Sequence, residues 1–78
     1  MTQQEAMAWI AALFDEKPEK LNPKLNRDDI PGWDSLGVLT LMADLDRDFG
    51  IDLSDDEVQG MKTVNDIMEI LRQNGKLS

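Results

Sequence analysis

The stretch GWDSLGVLTLMADLDRDFG, residues 32–50, sets the architecture expected for this chain. Its apolar side chains recur with the spacing of one face of an α-helix: Val38, Leu41, Met42, Leu45 and Phe49. Gly50 follows directly, and glycine is the residue that most often ends a helix. The pattern predicts an amphipathic helix that begins near Asp34 and ends at Phe49.

A second amphipathic helix is expected upstream, near the N-terminus. Thr2 and Glu5 have the spacing of a capping box, and the apolar residues that follow again lie on one helical face: Ala6, Trp9, Ile10, Leu13 and Phe14. Pro18 and Pro23 then interrupt the pattern, so the segment up to about Trp33 is predicted to be a long loop. Loops of this length are uncommon in small domains and often have a function.

Two more helix starts are predicted downstream. Ser54 with Glu57, and Thr63 with Asp66, both match the capping-box pattern, and the second opens an apolar segment that ends near Gly75. The chain is therefore predicted to be all-α, a small four-helix bundle of three longer helices and one short helix, with a long loop between the first two.

Composition limits the classes of function. Residues 1–78 are expected to form a single domain, because the chain is too short for more than one hydrophobic core. With 41% hydrophobic residues it can fold by itself, and no apolar run approaches the roughly 20 residues of a membrane helix. The chain has no cysteine and no histidine, so the usual nucleophile, general base and metal ligands are missing. We therefore expect neither an enzyme nor a metal site. The absence of cysteine, and so of disulfides, also agrees with a cytoplasmic location.

The net charge of −8 is concentrated in the middle of the chain. Residues 28–57 contain ten aspartates and glutamates and one base, Arg47. This field would repel nucleic acid and anionic membranes and would attract basic protein surfaces. Proteins are thus the expected partners, with neither nucleic acid nor membrane among them.

Ser35 is the residue whose role needs an explanation. Serine is a common N-cap, but Asp34 is the better cap here, because its carboxylate suits the positive end of the helix dipole. Trp33 and Val38 then occupy the two positions of a hydrophobic staple. Ser35 becomes the first helical residue, with a free hydroxyl close to unpaired amides that favour a phosphate ester. The residues predict an attachment point that another enzyme modifies.

The segment GWDSLGVLTLMADLDRDFGIDLSDDEV, residues 32–58, resembles the acyl carrier protein family, in which a D-S-L serine takes 4′-phosphopantetheine. The last helix and the preceding loop fit as well, so the resemblance spans nearly the whole chain. It implies that Ser35, flanked by Asp34 and Leu36, holds 4′-phosphopantetheine. It also implies a monomer that carries acyl intermediates as thioesters in fatty acid, lipid or polyketide-type biosynthesis. The implied partners are a phosphopantetheinyl transferase and acyl-loading or acyl-processing enzymes.

Alternative functions remain open on the sequence. The chain could be a peptidyl or aminoacyl carrier with the same arm, or an unmodified acidic helical module that binds proteins through its apolar segment. The residues argue against a calcium-binding loop starting at Asp44, because Phe49 stands at the position that requires glycine and Asp55 at the position that requires glutamate.

The sequence also departs from the family pattern beside Ser35. Typical fatty-acid carriers have acids where this chain has Gly37 and Thr40, and Arg47 interrupts the later acids. Gly37 predicts a helix start that is loose or closely approached by a partner. We expect a specialised carrier whose docking residues are Leu36, Gly37, Thr40, Ala43, Asp46, Arg47 and Asp56.

The methionines have two interpretations. Met42, Met61 and Met68 have the spacing of gap-filling core residues, which is the favoured interpretation. In a carrier of this family they would also line an acyl pocket, whose expected residues are Met42, Leu45, Val58, Met61, Ile67 and Met68.

Overall fold

A computed structural model describes residues 1–77. Within this part of the chain there are four α-helices: α1 (Gln3–Leu13), α2 (Ser35–Phe49), α3 (Asp55–Gln59) and α4 (Val64–Gln73). Two short 3-10 turns, Pro18–Lys20 and Arg27–Asp29, lie in the long loop between α1 and α2. The all-α prediction of three longer helices and one short helix is confirmed.

Each helix begins at a capping residue that the sequence indicates. Thr2, Ser54 and Thr63 form complete capping boxes with the glutamate or aspartate three residues later. These side chains accept from backbone amides that would otherwise lack partners. At the end of α2, Gly50 adopts the left-handed conformation with φ of 66°, which glycine tolerates without a steric penalty. The predicted boundaries of α2 are therefore confirmed.

The core lies between the inward faces of the helices. Its largest fully buried side chains come from all four of them: Ile10, Leu41, Leu45, Val58, Val64, Ile67, Met68 and Leu71. Trp33, from the end of the long loop, is also buried, and its ring stacks on Phe14 at the end of α1 with centroids 5.1 Å apart. The loop thus contributes to the core and holds the start of α2 against α1.

The long loop is also joined to the connection between α3 and α4. The Arg27 amide donates to the Lys62 carbonyl at 2.7 Å, and the Val64 amide donates to the Leu25 carbonyl at 3.1 Å. Asn26 and Thr63 form an isolated antiparallel bridge between these two segments. These bonds fix the backbone of the loop beside α3.

Asp15 has an unfavourable position at the end of α1. It has a φ of 57°, the one non-glycine residue with positive φ among residues 1–77, and the Glu16 amide closes the helix on the Ala11 carbonyl at 2.8 Å. Its carboxylate also lies at the negative end of the helix dipole. We expect Asp15→Asn to raise the free energy of unfolding by about 0.3–1 kcal/mol, since asparagine tolerates this conformation and carries no charge.

Urea denaturation of the purified variants measures this effect. Asp52→Asn is the control, because Asp52 is exposed and lies outside the helices, so the substitution removes the same charge without touching a helix end. Equal stabilisation by both substitutions would show that relief of the overall negative charge, and not the position of Asp15, is responsible.

Candidate functional site

The start of α2 is built as the sequence predicts. The Asp34 carboxylate accepts from the Gly37 amide at 2.9 Å, so Asp34 is the N-cap and Ser35 is the first helical residue. Trp33 and Val38, the two residues of the expected staple, are both buried. Among residues 1–77, nothing accepts from the amides of Ser35 and Leu36 and nothing bonds to the Ser35 hydroxyl. An exposed hydroxyl therefore lies beside two free amide donors.

A surface pocket of about 350 Å³ opens next to Ser35, between α2, α3 and the long loop. We refer to it as the α2–α3 pocket. Its apolar wall consists of Val38, Leu39, Met42 and Val58. The polar side chains around it, besides Ser35, are Arg27, Asp55 and Gln59. None of these three is recognisable as a pocket residue from the sequence, because the loop and α3 approach Ser35 only in the folded chain.

The residues of the expected acyl pocket divide into two groups. Met42 and Val58 line the α2–α3 pocket. Leu45, Met61, Ile67 and Met68 are buried in the core and do not line it. Met61 and Met68 thus pack as core residues in this structure, which agrees with the favoured interpretation of the methionines.

One exposed face of α2 is apolar near Ser35. Leu36 is 72% exposed and Leu39 is 62% exposed, and Ala43, one turn further, is exposed as well. These three residues, which we call the apolar stripe, point outward because Val38, Leu41 and Leu45 form the buried face of the same helix. Exposed large apolar side chains at adjacent turns indicate a contact surface. Leu36 and Ala43 are residues expected from the sequence to dock partners, whereas Leu39 is not among the expected residues.

Gly37 does not belong to the exposed surface, which corrects its assignment as a docking residue. It is buried, and a Cβ atom there would lie 2.0 Å from the Gly32 carbonyl oxygen and 3.4 Å from the Phe14 ring. The expectation of a loose or partner-approached helix start is also wrong. The close neighbour of Gly37 is the chain's own loop, which requires a residue without a side chain. Thr40 is half-buried, and its hydroxyl donates to the Leu36 carbonyl at 3.0 Å.

The charged end of α2 is partly neutralised by Arg47. The Arg47 guanidinium pairs with Asp48 at 2.9 Å and with Asp44 at 3.3 Å. The pKa of the Asp48 carboxyl lies below its ordinary value, because Arg47 and then the indole N–H of Trp9 donate hydrogen bonds to the carboxylate. Asp46 and Asp56, the acidic residues predicted for docking, are exposed. They remain available for a basic partner.

Two further features of residues 1–77 concern metals and membranes. No group of three or more acidic, histidine or cysteine side chains is arranged to hold a metal ion in this part of the chain. None of its helices has the length and apolarity needed to cross a bilayer.

Comparison with known proteins identifies the family. The family model described as the phosphopantetheine attachment site matches residues 8–71. The chain belongs to the acyl carrier protein family. Among its relatives, the acyl carrier protein of Thermosynechococcus vestitus is 28% identical over 75 residues, which cover 91% of this chain and 93% of that protein.

Other similar carriers cover most of the chain. The meromycolate extension acyl carrier protein of Mycobacterium leprae is 25% identical over 77 residues, with 94% of this chain and 67% of that protein covered. The acyl carrier protein of Rickettsia bellii is 26% identical over 72 residues, with 92% of this chain and 89% of that protein covered. The family resemblance stated from the D-S-L segment is thereby confirmed.

The prosthetic group of this carrier is a covalently attached 4′-phosphopantetheine. The start of α2 fits such a group. The free amides of Ser35 and Leu36 and the positive end of the helix dipole favour a phosphate ester. The α2–α3 pocket offers an apolar wall beside it, and the arm supplies the thiol that the sequence lacks.

Proposed function

We propose that this chain is an acyl carrier protein that holds acyl intermediates as thioesters on a 4′-phosphopantetheine arm attached to Ser35. The observation that supports the residue assignment is the division of roles at the start of α2. Asp34 satisfies the helix end, so the exposed Ser35 hydroxyl has no structural bond to lose on modification. The cargo would be an intermediate of fatty acid, lipid or polyketide-type biosynthesis.

The carrier is proposed to perform no chemistry of its own. A phosphopantetheinyl transferase would install the arm, because no side chain among residues 1–77 bonds to the Ser35 hydroxyl to activate it, and the adjacent Asp34 carboxylate accepts from the Gly37 amide instead. Acyl-loading and acyl-processing enzymes would then act on the thioester. The arm keeps the reactive group at a high effective concentration near whichever enzyme is docked.

The test is transfer of the arm from coenzyme A. Purified apo protein is incubated with coenzyme A and a phosphopantetheinyl transferase of broad specificity, and its intact mass is measured. We expect a single addition, located by peptide mapping on the fragment that contains residues 32–50. A protein that remains unmodified with several transferases would exclude the carrier and favour the alternative, an acidic helical module that binds proteins without an arm.

We further propose that partner enzymes dock on the apolar stripe around Ser35. The stripe lies beside Gly37 and Thr40, the positions where fatty-acid carriers of the typical pattern have acids, and Asp34, Asp46 and Asp56 are exposed around it. Such a surface suits a partner with an apolar pocket and a basic rim, since buried apolar contacts supply affinity and charges supply orientation. This is the basis for proposing a specialised carrier that serves a dedicated pathway.

Substitution of the stripe should weaken loading without unfolding the protein. We expect Leu39→Ser to raise the KM of the cognate loading enzyme by about tenfold or more, the effect of losing roughly 1.4 kcal/mol at an interface. Ala12→Ser, on an exposed position of α1, is the control and should leave the KM unchanged. Equal KM values for both variants, with helical content preserved by circular dichroism, would rule out docking through Leu39.

A further inference from the structure

Arg27 is unusual among the three arginines of this chain. Arg47 and Arg72 form ion pairs with neighbouring acids on their own helices. The side chain of Arg27 is half-buried, and no hydrogen-bond or ion-pair partner for it exists among residues 1–77. In a chain with 16 acids and a net charge of −8, a half-buried guanidinium without a carboxylate partner requires an explanation.

The position of Arg27 is well defined by its backbone. Its amide donates to the Lys62 carbonyl at 2.7 Å, and it begins the 3-10 turn before which the Asn26 amide donates to the Asp29 carboxylate at 3.0 Å. The neighbouring residue, Asn26, forms the bridge to Thr63. Because the loop is tied to the connection between α3 and α4, the side chain of Arg27 starts from a fixed point at the wall of the α2–α3 pocket.

Ser35 lines the same pocket, so a phosphodiester on its hydroxyl would share this space with the Arg27 guanidinium. The planar guanidinium presents donors that match two oxygens of one phosphate. The exposed Asp55 carboxylate lies on the α3 side of the pocket and would repel the phosphate from there. The charges of the pocket therefore direct a phosphate on Ser35 toward Arg27.

We propose that Arg27 is a positioning residue that pairs with the phosphodiester of the prosthetic arm and lays the arm along the apolar wall of the α2–α3 pocket. This inference rests on the proposed attachment at Ser35. With the phosphate held by Arg27 and the free amides of Ser35 and Leu36, the dimethyl end of the pantetheine lies against Leu39 and Met42, the accessible part of the apolar wall.

The experiment uses the loaded, full-length protein. Wild type, Arg27→Gln, Arg27→Lys and the control Lys24→Gln, which removes one charge from another position of the same loop, are loaded with the arm, and complete loading is verified by intact mass. Two signals are recorded: the ³¹P chemical shift of the phosphodiester at low and high salt, and nuclear Overhauser effects from the pantetheine methyl groups to Leu39 and Met42.

We expect the methyl contacts and a salt-dependent ³¹P shift in the wild type and in Lys24→Gln. Both signals should be lost in Arg27→Gln, and Arg27→Lys should keep part of the salt dependence, because lysine retains the charge but not the forked geometry. Identical spectra for wild type and Arg27→Gln, each fully loaded, would overturn the role of Arg27. Failure of the wild type to accept the arm would instead overturn the attachment at Ser35.

Discussion

Ser35→Ala should retain its unmodified mass after incubation with coenzyme A and a phosphopantetheinyl transferase, while the wild type gains one arm. The substitution removes the oxygen that would form the phosphodiester, so the expected loss of modification is complete. Its folding should hardly change, because the Ser35 side chain is exposed and unbonded and Asp34 caps α2 through the Gly37 amide. Thermal melting measured by circular dichroism checks this second expectation.

Ser54→Ala is the matched serine substitution, and we expect it to lower stability while leaving modification intact. The Ser54 hydroxyl accepts from the Glu57 amide at 3.2 Å and caps α3, so its removal should lower the free energy of unfolding by about 0.5–2 kcal/mol. It should still accept the arm at Ser35. Modification of Ser35→Ala, or a large loss of stability in that variant, would contradict the division of roles between Asp34 and Ser35.

Gly37→Ala should be strongly destabilising. The added Cβ would lie 2.0 Å from the Gly32 oxygen and 3.1 Å from the Gly32 carbonyl carbon, and both are backbone atoms that cannot move aside as a side chain can. Gly32 itself is confined, because a Cβ on it would lie 2.2 Å from the Phe14 carbonyl oxygen. The loop must therefore separate from α1 or α2, and we expect a loss of about 3 kcal/mol, at the upper end of overpacking effects.

Gly60→Ala provides the control for this effect. Gly60 has a helical conformation with φ of −76°, and the nearest atom to an added Cβ would be the Asp56 oxygen at 3.4 Å, an ordinary contact. Alanine should be neutral or slightly stabilising there, because it restricts the unfolded chain. Urea denaturation measures the free energy of unfolding of both variants. Similar values for the two would show that the loop does not press on Gly37.

The packing of Gly37 also explains why an acid is absent next to the D-S-L segment. A side chain at position 37 would displace the loop, so Gly37→Asp would unfold the site instead of restoring a typical docking charge. Thr40 is half-buried with open space beside it in a shallow depression, which makes Thr40→Glu the usable substitution for testing whether an added acid improves exchange with fatty-acid enzymes.

Local features of this protein could be predicted from the order of its residues. The three capping boxes, the Asp34 cap, the Ser35 position and the end of α2 at Gly50 each depend on groups within a few residues of one another. Such contacts form whenever the segment is helical, so the sequence specifies them directly. The D-S-L segment also indicated the acyl carrier protein family, because that family places its prosthetic group on this serine.

Contacts between distant segments required the folded chain. In the sequence, Gly37 is a residue of low helix propensity. In the structure, Gly32 and Phe14 leave no room for a side chain at this position, and they lie close to Gly37 only because the loop packs on α1. Arg27 reads as an ordinary loop base, yet hydrogen bonds to the connection between α3 and α4 place it at the pocket beside Ser35. Side-chain periodicity predicts which residues form the buried face of each helix, but not which loop covers that face. The position of the loop depends on how all the buried surfaces pack together.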